Sequence, residues 1–182
     1  MSKFAQEMAF YSAYHQEPTN VWIHVLGVPL ITLSAFAPLA MVELARIQGM
    51  PLTMATLVLA GSLLYYLRLD RAMGLIAVAV YGSLCWLAHE IAALGWGPVL
   101  TVFAVGQIVG WGAQIWGHLH FERNRPAFFE SLFHSLVSAP LFVIADVLFH
   151  LGFKRDLQQE VAQILVDKGQ YREFDPRQSS AA

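Results

Sequence analysis

Five long apolar runs, joined by short polar links, leave this chain little choice of fold. They cover about Val21–Leu44, Leu52–Leu67, Ala72–Leu94, Pro98–Leu119 and Phe128–Leu151. A helix needs roughly 20 apolar residues to cross a bilayer, and the first, third and fourth runs meet that length. The second is short and must borrow flanking residues. The fifth holds Glu130, His134 and Asp146 and is broken at Ser138-Ala139-Pro140, so it either spans or enters as a bent, partly interfacial segment. Hydrophobic residues make up 57% of the 182 and charged residues 13%, against roughly 25% charged in soluble domains. That much apolar surface cannot be buried in one aqueous core of this size. The expected fold is an all-α, polytopic membrane helix bundle of four transmembrane helices, with five as the alternative, flanked by amphipathic terminal helices. Residues 1–174 read as one membrane-embedded domain and 175–182 as a disordered tail. No repeat and no β pattern of any length is evident.

The two ends differ from the middle. Phe4, Met8 and Tyr11 fall at helical spacing, which suits a lead helix lying on the membrane surface. Pro18-Thr19-Asn20 breaks that pattern, with Asn20 the expected N-cap of the first long helix. No early apolar stretch with a small-residue cleavage site marks a signal peptide, so the first span is expected to be retained. From Lys154 onward Leu157, Val161, Ile164 and Leu165 form one stripe among polar residues, a soluble or surface-lying helix. The net charge of −2 offers no basic patch for nucleic acid. The single cysteine, Cys85, excludes a disulfide framework or thiolate metal site and reads as packing.

Positive charge predicts orientation. Lys3, the pair Arg68 and Arg71, and the pair Arg123 and Arg125 fall on one side, whereas the link Gly95-Trp96-Gly97 has no charge and Arg46 is the exception. The positive-inside rule puts the N-terminus and the 68–71 and 120–127 turns in the cytoplasm. A bacterial chain of this kind would sit in the inner membrane.

Seven histidines are present, and ionisable or ligating groups at membrane depth are costly and mostly functional. Under this topology His15, His24, His118, His120 and His134 converge on the cytoplasmic face with Glu17 and Glu122. Gln114, His118 and Glu122 are four apart and share one helical face, whereas His120 points nearly the opposite way. Asn20 and His24 are also four apart. A histidine and a carboxylate so spaced can both reach one metal or share an outer hydrogen bond. Imidazoles with a carboxylate and amides nearby, and no sulfur, suit Fe(II) or Zn(II). His89 and His150 lie outside this convergence and read as packing residues.

Three strings carry a resemblance. YHQEPTNVWIHVLGVP (14–29) follows Y-H-x4-N-x3-H-x2-G-x-P, and QIWGHLHFERNRPA (114–127) follows Q-x2-G-H-x3-E-x3-P-A. With SLVSAPLFVIADVL (135–148) they resemble the DUF962 or Mpo1-like family; Asp146 stands where many relatives have Glu. The resemblance implies an Fe(II)-dependent membrane dioxygenase that takes a long-chain 2-hydroxy fatty acid and O2 and shortens the acid by one carbon, as in α-oxidation. It implies metal ligation by His15, His24 and His118, with Glu122, Asn20 and Gln114 as catalytic residues around them. His120 falls on a variable position and takes no role from the family; it and His134 stand as possible additional site residues. Arg123 or Arg125 is our own candidate to pair with the substrate carboxylate. Two other classes stay open: a zinc-dependent membrane hydrolase using Glu122 as general base, which lacks H-E-x-x-H, and a non-catalytic, transport-type or b-haem bundle whose histidines are structural or axial. The HxxxH and HxxHH clusters of di-iron membrane hydroxylases are missing, which favours a mononuclear site.

Overall fold

The computed structural model describes residues 1–123 and 134–172, with side chains undescribed at 134 and 135. Glu130 and Arg125 therefore lie outside the described residues, as does the side chain of His134. The elements are α1 (Lys3–Ser12), α2 (Pro18–Ala40), β1 (Glu43–Ile47), β2 (Met50–Thr53), α3 (Met54–Leu69), α4 (Arg71–Ala93), α5 (Trp96–Gly117) running into a π-helical turn (His118–Glu122), a second π-helical turn (His134–Ser138), α6 (Ala139–His150) and α7 (Arg155–Asp167). Two compact units emerge, one of Met1–Val25 with Ala113–Ala182 and the other of Leu26–Gly112.

Local chemistry explains most of the helix starts. Ser2 caps α1 by accepting from the Ala5 N–H at 3.1 Å, Thr53 caps α3, and Asp70 caps α4 by accepting from Met73 at 3.0 Å. The expected cap of α2 is corrected. The helix starts at Pro18, whose fixed φ suits a first helical position. The Glu17 carboxylate accepts from the Asn20 N–H at 2.8 Å and the Glu17 carbonyl from Val21 at 3.0 Å. Glu17 is thus the cap, and the Asn20 side chain is left for another task.

The all-α bundle holds, with one addition. Sequence patterning shows no strand, yet β1 and β2 pair as an antiparallel hairpin. Its two-residue turn, Gln48 (φ 50°) and Gly49 (φ 84°), has the left-handed backbone that matches strand twist. Leu44, Ile47 and Met50 are exposed on it, so its apolar residues continue the hydropathy of α2 and hide the change of structure.

Among the described residues three helices are long and apolar enough to cross a membrane: Pro18–Ala40, Arg71–Ala93 and Trp96–Glu122. The stretch Leu136–His150 with Arg155–Asp167 counts as a fourth only if that pair, bent by 112°, is taken as one broken span. The 16 residues of α3 reach about 24 Å, short of the roughly 30 Å hydrocarbon layer. Leu26, Leu75, Trp86, Leu100, Phe103 and Ile108 lie exposed on the long helices, an outer face that suits lipid. The chain is accordingly an integral membrane helix bundle.

In the second unit Phe36, Ala40, Ala55, Cys85 and Ala88 form a core cluster, as expected for Cys85. His89 is a structural residue there, bonded to Thr53 Oγ1 at 3.0 Å and the Cys85 carbonyl at 2.8 Å. Gly106 and Gly110 let α5 approach α2: an added Cβ would lie 2.4 Å from Ser34 Cβ and 2.5 Å from Ile31 Cγ1. In the first unit α1 does not present its apolar face to lipid. Phe4, Met8 and Tyr11 are buried, with Phe142 of α6 at ring distances of 5.9 Å from Phe4 and 5.2 Å from Tyr11.

Candidate metal centre

Three histidines from separate elements meet inside the first unit. His15 lies in the connection Ala13–Glu17 between α1 and α2, His24 one turn beyond Asn20 on α2, and His118 at the first position of the π-helical turn. All three are buried, their rings meet edge-on with centroids 4.3, 4.7 and 4.8 Å apart, and one ligating atom from each lies within 4.8 Å of the others. A divalent ion with bonds of about 2.1 Å holds imidazole nitrogens about 3.0–3.4 Å apart, so the set would close in around a bound ion. The π-helical turn widens α5 locally where His118 enters, a device common at functional sites.

The rings are also oriented. His15 Nδ1 lies 2.8 Å from the Tyr11 carbonyl and His24 Nδ1 lies 2.9 Å from the Asn20 carbonyl. A carbonyl only accepts, so each Nδ1 carries the proton, and in the neutral ring each Nε2 keeps its lone pair, the usual preparation of a metal-binding imidazole. Tyr11 stacks on His15 at 3.9 Å, fixing its plane. Three buried polar atoms nearby have no hydrogen-bond partner among the described residues: His118 Nδ1, Gln114 Nε2 and Asn20 Oδ1. Such atoms are costly unless something completes them. The residues present therefore fit a metal ion: neutral imidazoles, no sulfur, and unused polar atoms around them.

Glu122 stands beside the histidine group as a hydrogen-bonding carboxylate. Its side chain is fully buried but does not join the histidine group. The carboxylate accepts from the Gln16 N–H (3.2 Å to each oxygen), the Glu17 N–H (3.0 Å) and Asn20 Nδ2 (3.1 Å). It ties the end of α5 to the connection that carries His15 and to the residue whose carbonyl orients His24. Gly117 makes this possible, because a Cβ there would lie 2.5 Å from Asn20 Oδ1. Gln114 is buried one turn before His118, so the shared face of Gln114, His118 and Glu122 is as expected.

The remaining expected residues separate. His120 is exposed and stacks on Trp116 at 5.1 Å, away from the trio. Arg123 is exposed, with left-handed backbone ending the π-helical turn. A cation that sequence reading missed lies nearer: Arg172 Nη1 is 3.6 Å from Glu122 Oε1 and 3.4 Å from the Glu122 carbonyl. Fifty residues separate the two, and no local pattern links them.

His15 lies outside the spanning helices, and burial, with His24 and His118 beside it, pushes its pKa well below 6.5. A folded His15 thus refuses a proton that the unfolded chain accepts. The stability it contributes is present above about pH 6.5 and is lost as pH falls below that. Metal-free protein in detergent is expected to melt at a lower temperature near pH 5 than near pH 7.5, with His15→Asn flattening the difference. An unchanged midpoint would show that His15 is not held neutral.

The family described as 2-hydroxy-palmitic acid dioxygenase Mpo1-like matches residues 1–151. A Saccharomyces cerevisiae protein named 2-hydroxy-palmitic acid dioxygenase MPO1 is 35% identical over 149 residues, 81% of this chain and 80% of that one. No solved structure matches.

Proposed function

This chain belongs to the Mpo1-like family, and on that premise we propose that it is a membrane-embedded, iron-dependent dioxygenase that shortens a long-chain 2-hydroxy fatty acid by one carbon. The observation that carries the reading is the buried trio of His15, His24 and His118, two of them with Nδ1 fixed by backbone carbonyls. Fe(II) held by these imidazoles would supply the redox chemistry that O2 needs, with coordination positions left for the substrate's oxygens. The overall reaction balances as R–CH(OH)–COOH + O2 → R–COOH + CO2 + H2O, with the C1–C2 bond broken and O2 reduced.

The chain's own groups supply the rest. Gln114 Nε2 can donate to a substrate oxygen and Asn20 Oδ1 can accept from its hydroxyl, each without a partner among the described residues. Arg123 and Arg125, at the end the positive-inside rule makes cytoplasmic, are candidates to draw the carboxylate to the membrane face. The acyl tail would lie along the apolar helices or in the leaflet. A zinc hydrolase with Glu122 as base is less favoured, because the Glu122 carboxylate is taken up by three N–H groups of the chain.

The test is O2 uptake by detergent-purified protein given Fe(II) and 2-hydroxypalmitate. We expect one acid shorter by a carbon for each O2 consumed, none from palmitate, and loss of the activity with a chelator that added Fe(II) restores. Turnover that consumes no O2 would overturn the reading.

A further inference from the structure

The C-terminal segment beyond the family region reaches Gln16 and Glu122, beside the histidine trio. α7 and α1 belong to the same unit and pack together, with Val161, Ile164 and Leu165 buried. Glu160 accepts from the Ser2 N–H at 2.6 Å and the Ser2 hydroxyl at 3.0 Å, fastening α7 to the start of α1. Gly169 then turns the chain with a φ of 64°, and the N–H groups of Gln170 and Tyr171 return to the Leu165 carbonyl. The segment next lies along Gln16. Gln16 Nε2 donates to the Gln170 carbonyl at 2.9 Å, and the Arg172 N–H donates to Gln16 Oε1 at 2.8 Å. The side-chain amide is thus paired at both ends, like a peptide group in a strand ladder. The Arg172 guanidinium continues past it to Glu122.

We propose that residues 155–172 form a clasp for the metal centre, in which Gln16 and the 170–172 backbone are positioning groups that hold His15 ready for a divalent ion. The proposal rests on the metal-centre reading and adds a part of the chain outside residues 1–151. His15 sits in a connection without regular structure, so its neighbours set its position. Tyr11 fixes the ring on one side, and on the other Gln16 is held by the clasp through its side chain and by Glu122 through its N–H. The guanidinium is the lesser part. Its contact with Glu122 is long and its side chain is 40% exposed, and exposed ion pairs contribute little.

That order of importance gives the test. Full-length protein in detergent is loaded with Co(II), and its release to a chelator is followed by visible absorption. Hydrogen exchange of residues 14–17 and melting of metal-free protein are measured alongside. Gln16→Ala removes the paired amide, and Arg172→Pro removes the N–H donor. Each is expected to release Co(II) roughly tenfold faster, as with other outer-shell partners, and to speed exchange at 14–17 with little change in melting. Arg172→Ala is expected to stay within about twofold of wild type, as an exposed pair should. If Gln16→Ala does not fold, Arg172→Pro carries the comparison. Wild-type release from both variants overturns the clasp. So does a fall in melting that Glu160→Ala, at the far end of α7, reproduces along with the faster release, because the tail is then only general support. No substrate is involved. A wild type that holds Co(II) but oxidises no 2-hydroxy acid therefore refutes the reaction and leaves the clasp standing.

Discussion

Replacing His118 with Ala is expected to abolish metal retention and lower turnover by about a thousandfold or more, the equivalent of roughly 4 kcal/mol of barrier. His118 supplies one of three buried imidazoles, and two histidines without it cannot hold a divalent ion against a chelator or water. The substitution is informative because it takes no donor away from a backbone carbonyl among the described residues, where His118 Nδ1 has no partner. His15→Ala and His24→Ala would also strip a donor from the Tyr11 or Asn20 carbonyl, so they mix metal loss with local damage. The matched control is His120→Ala, two residues away, exposed and packed on the aromatic neighbours Trp116 and Phe121. It should keep metal and activity near wild type. Metal content by elemental analysis and O2 uptake on the same preparations decide the point. A His118→Ala protein that keeps one equivalent of metal would remove this residue from the centre.

The trio was legible in the sequence because two independent regularities agreed. His15 and His24 flank the start of one apolar run, His118 sits at the end of another, and charge put both places on one membrane side. The hydrogen-bond partners of Glu122 were not legible. A carboxylate four residues after a histidine looks like a ligand or a base, and its true partners are mostly backbone N–H groups of Gln16 and Glu17, which no side-chain pattern announces. Amphipathic stripes likewise showed that α1 and α7 each bury a face, but not that protein rather than lipid covers the face of α1. The hairpin Glu43–Thr53 was hidden because its exposed apolar residues blend with the helices on either side. Arg172 was invisible for the simplest reason, its distance along the chain from Glu122.

Glu122→Ala separates a strut from a base. The Glu122 carboxylate, with a fully buried side chain, accepts from the Gln16 and Glu17 N–H groups and from Asn20 Nδ2. Removing it leaves three donors unmet, two of them buried and that of Gln16 half-buried, each costing about 1 kcal/mol, so metal-free protein should lose about 3 kcal/mol of stability and melt well below wild type. Metal should be lost as well, because the same bonds hold the connection bearing His15 and the residue whose carbonyl orients His24. Glu122→Gln keeps the volume but turns an NH2 group toward donors, and should fall between the two. Glu122→Asp keeps the charge on a shorter arm and should recover part of the stability and metal. A catalytic base predicts the opposite separation: Glu122→Gln would stay folded and loaded while turnover collapsed. Melting and metal content measured beside O2 uptake therefore assign the residue. If Glu122→Ala proves as stable and as metal-rich as wild type, the strut is wrong and the carboxylate belongs to the chemistry.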